Sequence, residues 1–208
     1  MQLITISGLD GSGKSTQIAL LKSYLENQGR KVFYFHAIEF GLANKLSGKN
    51  NSNNTPSIIK ANFFQIIGRR IFLLIDLFRF KKLLRKLEKE NYDYIVSDRY
   101  FYDSVINIEY LNNCHSELVE ESNLNNIRSS RLRQLADPQD DIAKPNVAFY
   151  LQTNPETIMQ REHKPDQGME YLKAKKILYD KMAPVWGLKI IDGNRNKEEI
   201  FTNLKELL

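Results

Sequence analysis

Gly8, Gly13, Lys14 and Ser15 satisfy the spacing G-x-x-x-x-G-K-[ST], with Leu9, Asp10, Gly11 and Ser12 between the glycines and Thr16 directly after. Glycines let a loop turn its N–H groups inward, and they keep Cβ atoms out of the way of an approaching phosphate. A lysine at this position can reach the β- and γ-phosphates of a nucleotide, and the hydroxyl after it can ligate magnesium. The spacing therefore points to a nucleoside triphosphate cradle. The bland alternative is a glycine turn that joins two elements and binds nothing.

The flanks favour the cradle. Residues 3–6, LITI, read as a short buried strand, and residues 17–25 carry apolar groups at helical spacing. A helix starting near Lys14 would add its positive end to the loop. Further strands are expected at 31–35, 94–97, 147–151 and 188–191, with helical patterns between them. One long helical pattern, 57–91, is expected to break near Gly68 or Arg79, and a polar loop precedes it at 48–56. Residues 171–186 predict an amphipathic helix ended by Pro184, with Tyr171, Leu172, Ile177 and Leu178 in the core and its lysines on a solvated face. A last helix packs through Ile200, Leu204 and Leu207. Short apolar strands alternating with helices imply an α/β fold, a parallel sheet covered on both faces.

In such sheets ligands bind beyond the carboxyl ends of the strands. Residues 8–15, 36–40 and 98–104, together with Thr153, all leave those ends. The third strand runs into Asp98-Arg99-Tyr100. An arginine there can clamp a second phosphate-bearing molecule, and Asp98 can orient that arginine or the metal shell. A structural ion pair at a strand end is the competing reading. The three histidines, His36, His115 and His163, are too scattered to suggest a metal cluster.

The chain has 208 residues, enough for one well-buried core, and is expected to form a single domain over 1–208. Its net charge of +5 suits a protein that handles polyanions and equally suits an ordinary basic surface. No zinc, helix-turn-helix or aromatic-basic motif supports nucleic-acid binding. The single cysteine, Cys114, excludes an intramolecular disulfide. Residues 71–75 form the most apolar stretch and are too short to span a bilayer. The opening strand leaves no room for a leader, so a cytoplasmic location with no membrane partner is expected.

The segments GLDGSGKST, SDRY, KPNVAFYLQTNPETIMQR and IDGNRNKEEI, in this order, resemble thymidylate kinases of the nucleoside monophosphate kinase group. The resemblance implies a three-layer P-loop NTPase fold with a five-stranded parallel sheet. It also implies transfer of the γ-phosphoryl group of ATP to dTMP with Mg2+. By the same resemblance Lys14 holds the donor phosphates, Arg99 the acceptor phosphate and Asp10 the acceptor's sugar hydroxyl. Arg161 would open a short lid, residues 161–171, and the loop at Asn194 and Arg195 would lie beside adenine. His36, Phe64, Arg69, Asp98 and Tyr100 complete the expected acceptor site, with Ser15 and Asp98 at the metal. A homodimer through the long helices after Ser57 is a further implication.

Four departures from the family pattern stand out. His36-Ala37-Ile38-Glu39 lacks the arginine and proline usual after the second strand. Phe64 stands five residues before Arg69 rather than four, about 100° of helix rotation away. Asp103 occupies a position commonly serine, and a carboxylate near a phosphate must point away or meet a cation. The lid is short and poor in arginine, with His163 and Lys164 as its other basic candidates. Residues 112–141 replace the usual helix and loop and are expected to be an inert insertion, a partner-binding or lid-like appendage being the alternative.

Overall fold

The computed structural model describes residues 1–37, 63–116, 144–162 and 164–208. Side chains at 63–70, 72–74 and 112–116 lie outside that description, so the readings of Phe64, Arg69, His115 and His163 do too. So do the polar loop at 48–56 and nearly all of the expected insertion.

Five parallel strands form one sheet in the order β2-β3-β1-β4-β5. They are β1 (Gln2–Gly8), β2 (Val32–His36), β3 (Tyr94–Asp98), β4 (Val147–Gln152) and β5 (Lys189–Asp192). Six helices accompany them among the described residues: α1 (Lys14–Asn27), α2 (Phe63–Lys89), α3 (Phe101–Ser116), α4 (Pro155–Met159), α5 (Gly168–Met182) and α6 (Lys197–Glu206). The three-layer expectation holds, and the strands fall where the apolar runs place them, with ends within two residues of those expected.

β1 lies between β3 and β4, with Ile6 in register with both Asp98 and Phe149. Side chains alternate across a strand, so β1 serves two cores. Ile4 and Ile6 pack with Ile18, Leu21, Val96, Phe149 and Leu204 on the side of α1 and α6. Leu3 faces the other core, where Ile95 of β3 and Tyr150 of β4 meet Phe80, Tyr102, Leu172 and Tyr179 from α2, α3 and α5. Thr5 and Ser7, on the Leu3 side, carry hydroxyls into this layer and are fully buried. That polar intrusion marks where the site begins.

Three expectations are corrected. α2 runs unbroken through Gly68 and Arg79. A single glycine costs a helix only about 1 kcal/mol, while Phe80, Leu84 and Leu87 anchor the second half in the core and Arg79 bonds Asp76 one turn earlier at 2.7 Å. In α5, Ile177 is 67% exposed and Lys175 only 3%, the reverse of the expected faces. In the last helix Ile200 and Leu204 are buried, but Leu207 falls beyond α6 and is exposed.

Candidate active site

The loop between β1 and α1 turns as its glycines permit. Gly8 has φ +150°, and a Cβ there would stand 2.8 Å from the Leu151 carbonyl oxygen of β4. Gly13 caps α1 with φ +97°. Ser12 N donates to the Leu9 carbonyl at 3.2 Å and closes the turn. Lys14 folds back under the loop, its Nζ donating to the Leu9 carbonyl at 2.5 Å and to Ser12 Oγ at 3.4 Å. Burial, reinforced by the nearby Arg99 charge, pulls Lys14 down to about 7, against the opposing pull of Asp10, Asp103 and Asp98. A buried ammonium depressed this far gains much from a phosphate that restores its charge.

Residues 11–17 form one wall of a cleft of about 790 Å³, with Arg161, Arg195 and Lys197 across from them. Arg161 Nη1 donates to the Gly11 carbonyl at 2.6 Å and Nη2 to the Gly193 carbonyl at 3.1 Å. It thereby bridges the glycine loop to the turn after β5. Arg195 pairs with Asp192 at 3.3 Å on the cleft rim. Asn194 Oδ1 accepts from Asn154 N at 2.9 Å and Thr157 Oγ1 at 3.1 Å, tying that turn to the start of α4.

A second group of charges lies at the end of β3. Arg99 takes φ +67°, a left-handed conformation that costs a side-chain-bearing residue about 1–3 kcal/mol. Its guanidinium contacts Asp10 through Nη2 and Asp103 Oδ1 through Nη1, the latter at 3.2 Å. Burial opposes the charge, but Asp103 and Asp10 outweigh it and keep Arg99 firmly protonated. Asp103, the carboxylate where a serine was expected, thus does meet a cation. It also accepts from Ser7 Oγ at 2.6 Å, Tyr100 N at 2.9 Å and Tyr179 OH at 2.5 Å. Burial, then the adjacent Asp103 charge, pushes the Tyr179 phenol well up, so it stays a donor.

Asp10 leaves the glycine loop on this side. Tyr171 OH donates to its Oδ2 at 3.0 Å, and Lys175 Nζ lies 3.9 Å from the same oxygen. Burial would raise its pKa, yet the Arg99, Lys175 and Lys14 charges hold it below the usual aspartate value.

Asp98 sits between the two groups. Its Oδ2 accepts from Ser15 Oγ at 3.1 Å and from Tyr34 OH at 3.4 Å, with His36 Nε2 at 3.9 Å. Its Oδ1 is buried with no hydrogen-bond partner, and an orphaned carboxylate oxygen is costly unless another group meets it. A hydroxyl beside a carboxylate with spare acceptor capacity is the donor set magnesium takes, directly or through water. Ser15 and Asp98 therefore fit that ion.

The structure gathers Asp10, Lys14, Ser15, His36, Asp98, Arg99 and Arg161 at one end of the sheet. The ring of Tyr100 is turned into the core against Phe80, Phe101 and Tyr102. Sequence reasoning missed Ser7, Tyr171, Lys175 and Tyr179 as parts of this site. The last three do carry a signal, being spaced four residues apart on one helix face.

Comparison with known proteins agrees with this architecture. A family model described as thymidylate kinase matches residues 6–203. The thymidylate kinase of Prochlorococcus marinus (strain AS9601) is 28% identical over 223 residues, covering 100% of this chain and 95% of its own length. That of Fervidobacterium nodosum is 28% identical over 207 residues, covering 95% and 93%. A thymidylate kinase structure from Candida albicans shares the fold with a TM-score of 0.69 at 21% identity, covering 99% of this chain and 89% of that one. Because the family match runs from within β1 into α6 and takes in every segment that builds the cleft, the chain belongs to the thymidylate kinase family.

Proposed function

We propose that the protein transfers the γ-phosphoryl group of ATP to dTMP, giving dTDP and ADP. The observation that carries this reading is the meeting of two phosphate-binding devices at one carboxylate. Lys14, under the donor loop, and Arg99, at the edge of β3, both interact with Asp10. An acceptor phosphate held by Arg99 would face a γ-phosphate held by Lys14, with an acceptor oxygen in line with the γ-phosphorus. As the new P–O bond forms, the bond to the β-phosphate oxygen breaks and ADP leaves. Such a reaction needs placement and charge neutralisation rather than a protein nucleophile. Magnesium held through Ser15 and Asp98 supplies further neutralisation of the phosphates when bound.

Asp10 would hold the acceptor's sugar hydroxyl, His36 and α2 would border the base, and Arg195 would lie beside adenine. Arg161 would begin a lid over the donor. A coupled assay of ADP release across dTMP, dUMP, UMP, CMP, AMP and GMP tests the reading. Turnover is expected to be fastest with dTMP; a different preferred monophosphate would move the acceptor assignment, and ATP binding without turnover on any of them would overturn it.

The homodimer belongs to the same proposal. Ile71, Ile75 and Phe78 are exposed along α2, Phe78 to 73%, at spacings that put them on one face. Light scattering is expected to give twice the chain mass, and Phe78→Glu is expected to give the monomer.

A further inference from the structure

Lys175 has no task in the donor cradle, yet it is only 3% exposed. Burying an ammonium costs several kcal/mol unless a partner offsets it, and Lys173, two residues away on α5, keeps its side chain half exposed. An apolar residue would fill the slot between Tyr171 and Tyr179 without that cost. What Lys175 touches is specific. Its Nζ lies 3.9 Å from Asp10 Oδ2 and 4.5 Å from the centre of the Tyr171 ring, whose hydroxyl bonds the same Oδ2. Arg99 contacts the other oxygen, Oδ1.

The arrangement has a consequence for acceptor binding. Both terminal nitrogens of Arg99 are engaged by carboxylates, each through one of its two N–H groups, so a phosphate gripped through the remaining N–H groups draws the guanidinium and its charge away from Asp103 and Asp10. Asp103 would keep Ser7, Tyr179 and the Tyr100 N–H. Asp10 would keep one neutral donor, Tyr171, the charge of Lys14, which the donor phosphates claim, and one cation with no such task, Lys175. At 3.9 Å that cation is at ion-pair rather than hydrogen-bond distance, so it has travel left to close on the carboxylate.

We propose that Lys175 is a positioning residue that holds Asp10 charged and aimed at the acceptor's sugar when Arg99 turns to the acceptor's phosphate. The role rests on the acceptor reading given above. The groups that face Lys175 are Asp10 from the glycine loop, Arg99 from the turn after β3 and Asp103 from α3. Those that face Asp10 are Arg99, Lys175, Lys14 and Tyr171. Burial lowers Lys175 to about 8, with Asp10 opposing. Its support for Asp10 therefore fades as pH rises through about 8.

Calorimetric titration of dTMP and of ATP between pH 6 and about pH 9.5 tests this in the parent, Lys175→Met and Lys175→Arg. At pH 7, Lys175→Met is expected to weaken dTMP about ten-fold and leave ATP within about two-fold. A loss of dTMP affinity that sets in near pH 8 is expected in the parent and absent in Lys175→Met. In Lys175→Arg that loss moves beyond the range, because a guanidinium stays charged, and affinity is restored. The Lys14 titration is common to all three proteins and cancels in the comparison. Unchanged dTMP affinity in Lys175→Met, an equal loss for ATP, or no rescue by arginine would overturn the proposal. If Lys175→Met does not fold, the shifted alkaline limb of Lys175→Arg decides alone. A parent that binds no dTMP would sink the acceptor reading instead. The Asp10 carboxyl titration, followed by carbon NMR with Asp10→Asn as the assignment control, would then decide the Lys175 role: a raised midpoint in Lys175→Met sustains it and an unmoved one ends it.

Discussion

Arg99 Nη1 lies 3.2 Å from Asp103 Oδ1, an ion pair buried from solvent and four residues long in sequence. Arg99 follows β3 in a left-handed conformation and Asp103 sits in the first turn of α3. The pair therefore staples the turn that aims the guanidinium. Replacing Asp103 by Asn keeps the shape and removes the charge. Breaking one side of a buried pair costs about 3–5 kcal/mol, and the remaining Asp10 contact reduces this to about 2–3 kcal/mol. The urea midpoint of Asp103→Asn is expected to fall with an unchanged slope.

Lys14 carries a different trade. Its folded pKa, about 7, lies below the ordinary lysine value of 10.5, so the unfolded chain binds more protons between those pH values. Stability must then rise with pH through that window, with the full penalty present below it. In Lys14→Met the rise is expected to begin only near pH 8, where Lys175 takes over. At pH 7 the variant should melt higher than the parent while losing phosphoryl transfer by about 10³-fold or more. Thermal melts across pH and the ADP assay measure the two effects.

Asp98 offers the ion a carboxylate whose Oδ1 has no protein partner. Asp98→Asn keeps an acceptor for Ser15 and Tyr34 but drops the charge. The magnesium concentration for half-maximal rate is expected to rise about ten-fold or more, a loss of about 1.4 kcal/mol. The Michaelis constant for dTMP should move much less. A magnesium titration at saturating nucleotides separates the two.

Arg161 is held by two carbonyls, Gly11 and Gly193, at the mouth of the cleft. In Arg161→Ala the fold should melt within a few degrees of the parent. The rate should drop by about 10²–10³-fold, the scale of a lost arginine on a transferring phosphoryl group. Stopped-flow measurement at saturating ATP and dTMP reads it.

How much of this was legible in the residues follows from the range of the interactions. The glycine spacing with Lys14 and Ser15, the five apolar strand runs and the Asp98-Arg99 strand end all rest on contacts within a few positions, so local pattern suffices. Binary pattern failed on α5. Lysine reads as solvent-facing because an isolated buried ammonium is costly, and nothing near Lys175 in the chain announces that Asp10, 165 positions earlier, meets it. Asp103 was noticed as misplaced, but its partners Ser7 and Tyr179 come from β1 and α5.

The sequence by itself determined the cradle, the sheet that presents it and the two cationic devices, because backbone geometry and side-chain period are local properties. Only the tertiary structure decided how charge is shared among Asp10, Asp98, Asp103, Lys14, Arg99 and Lys175. Three anions and three cations from separate segments become mutual neighbours only when β1, β3, α3 and α5 pack. In that poorly hydrated space Asp10, Lys14, Arg99 and Lys175 each depart from their ordinary titration through burial and one another's charge.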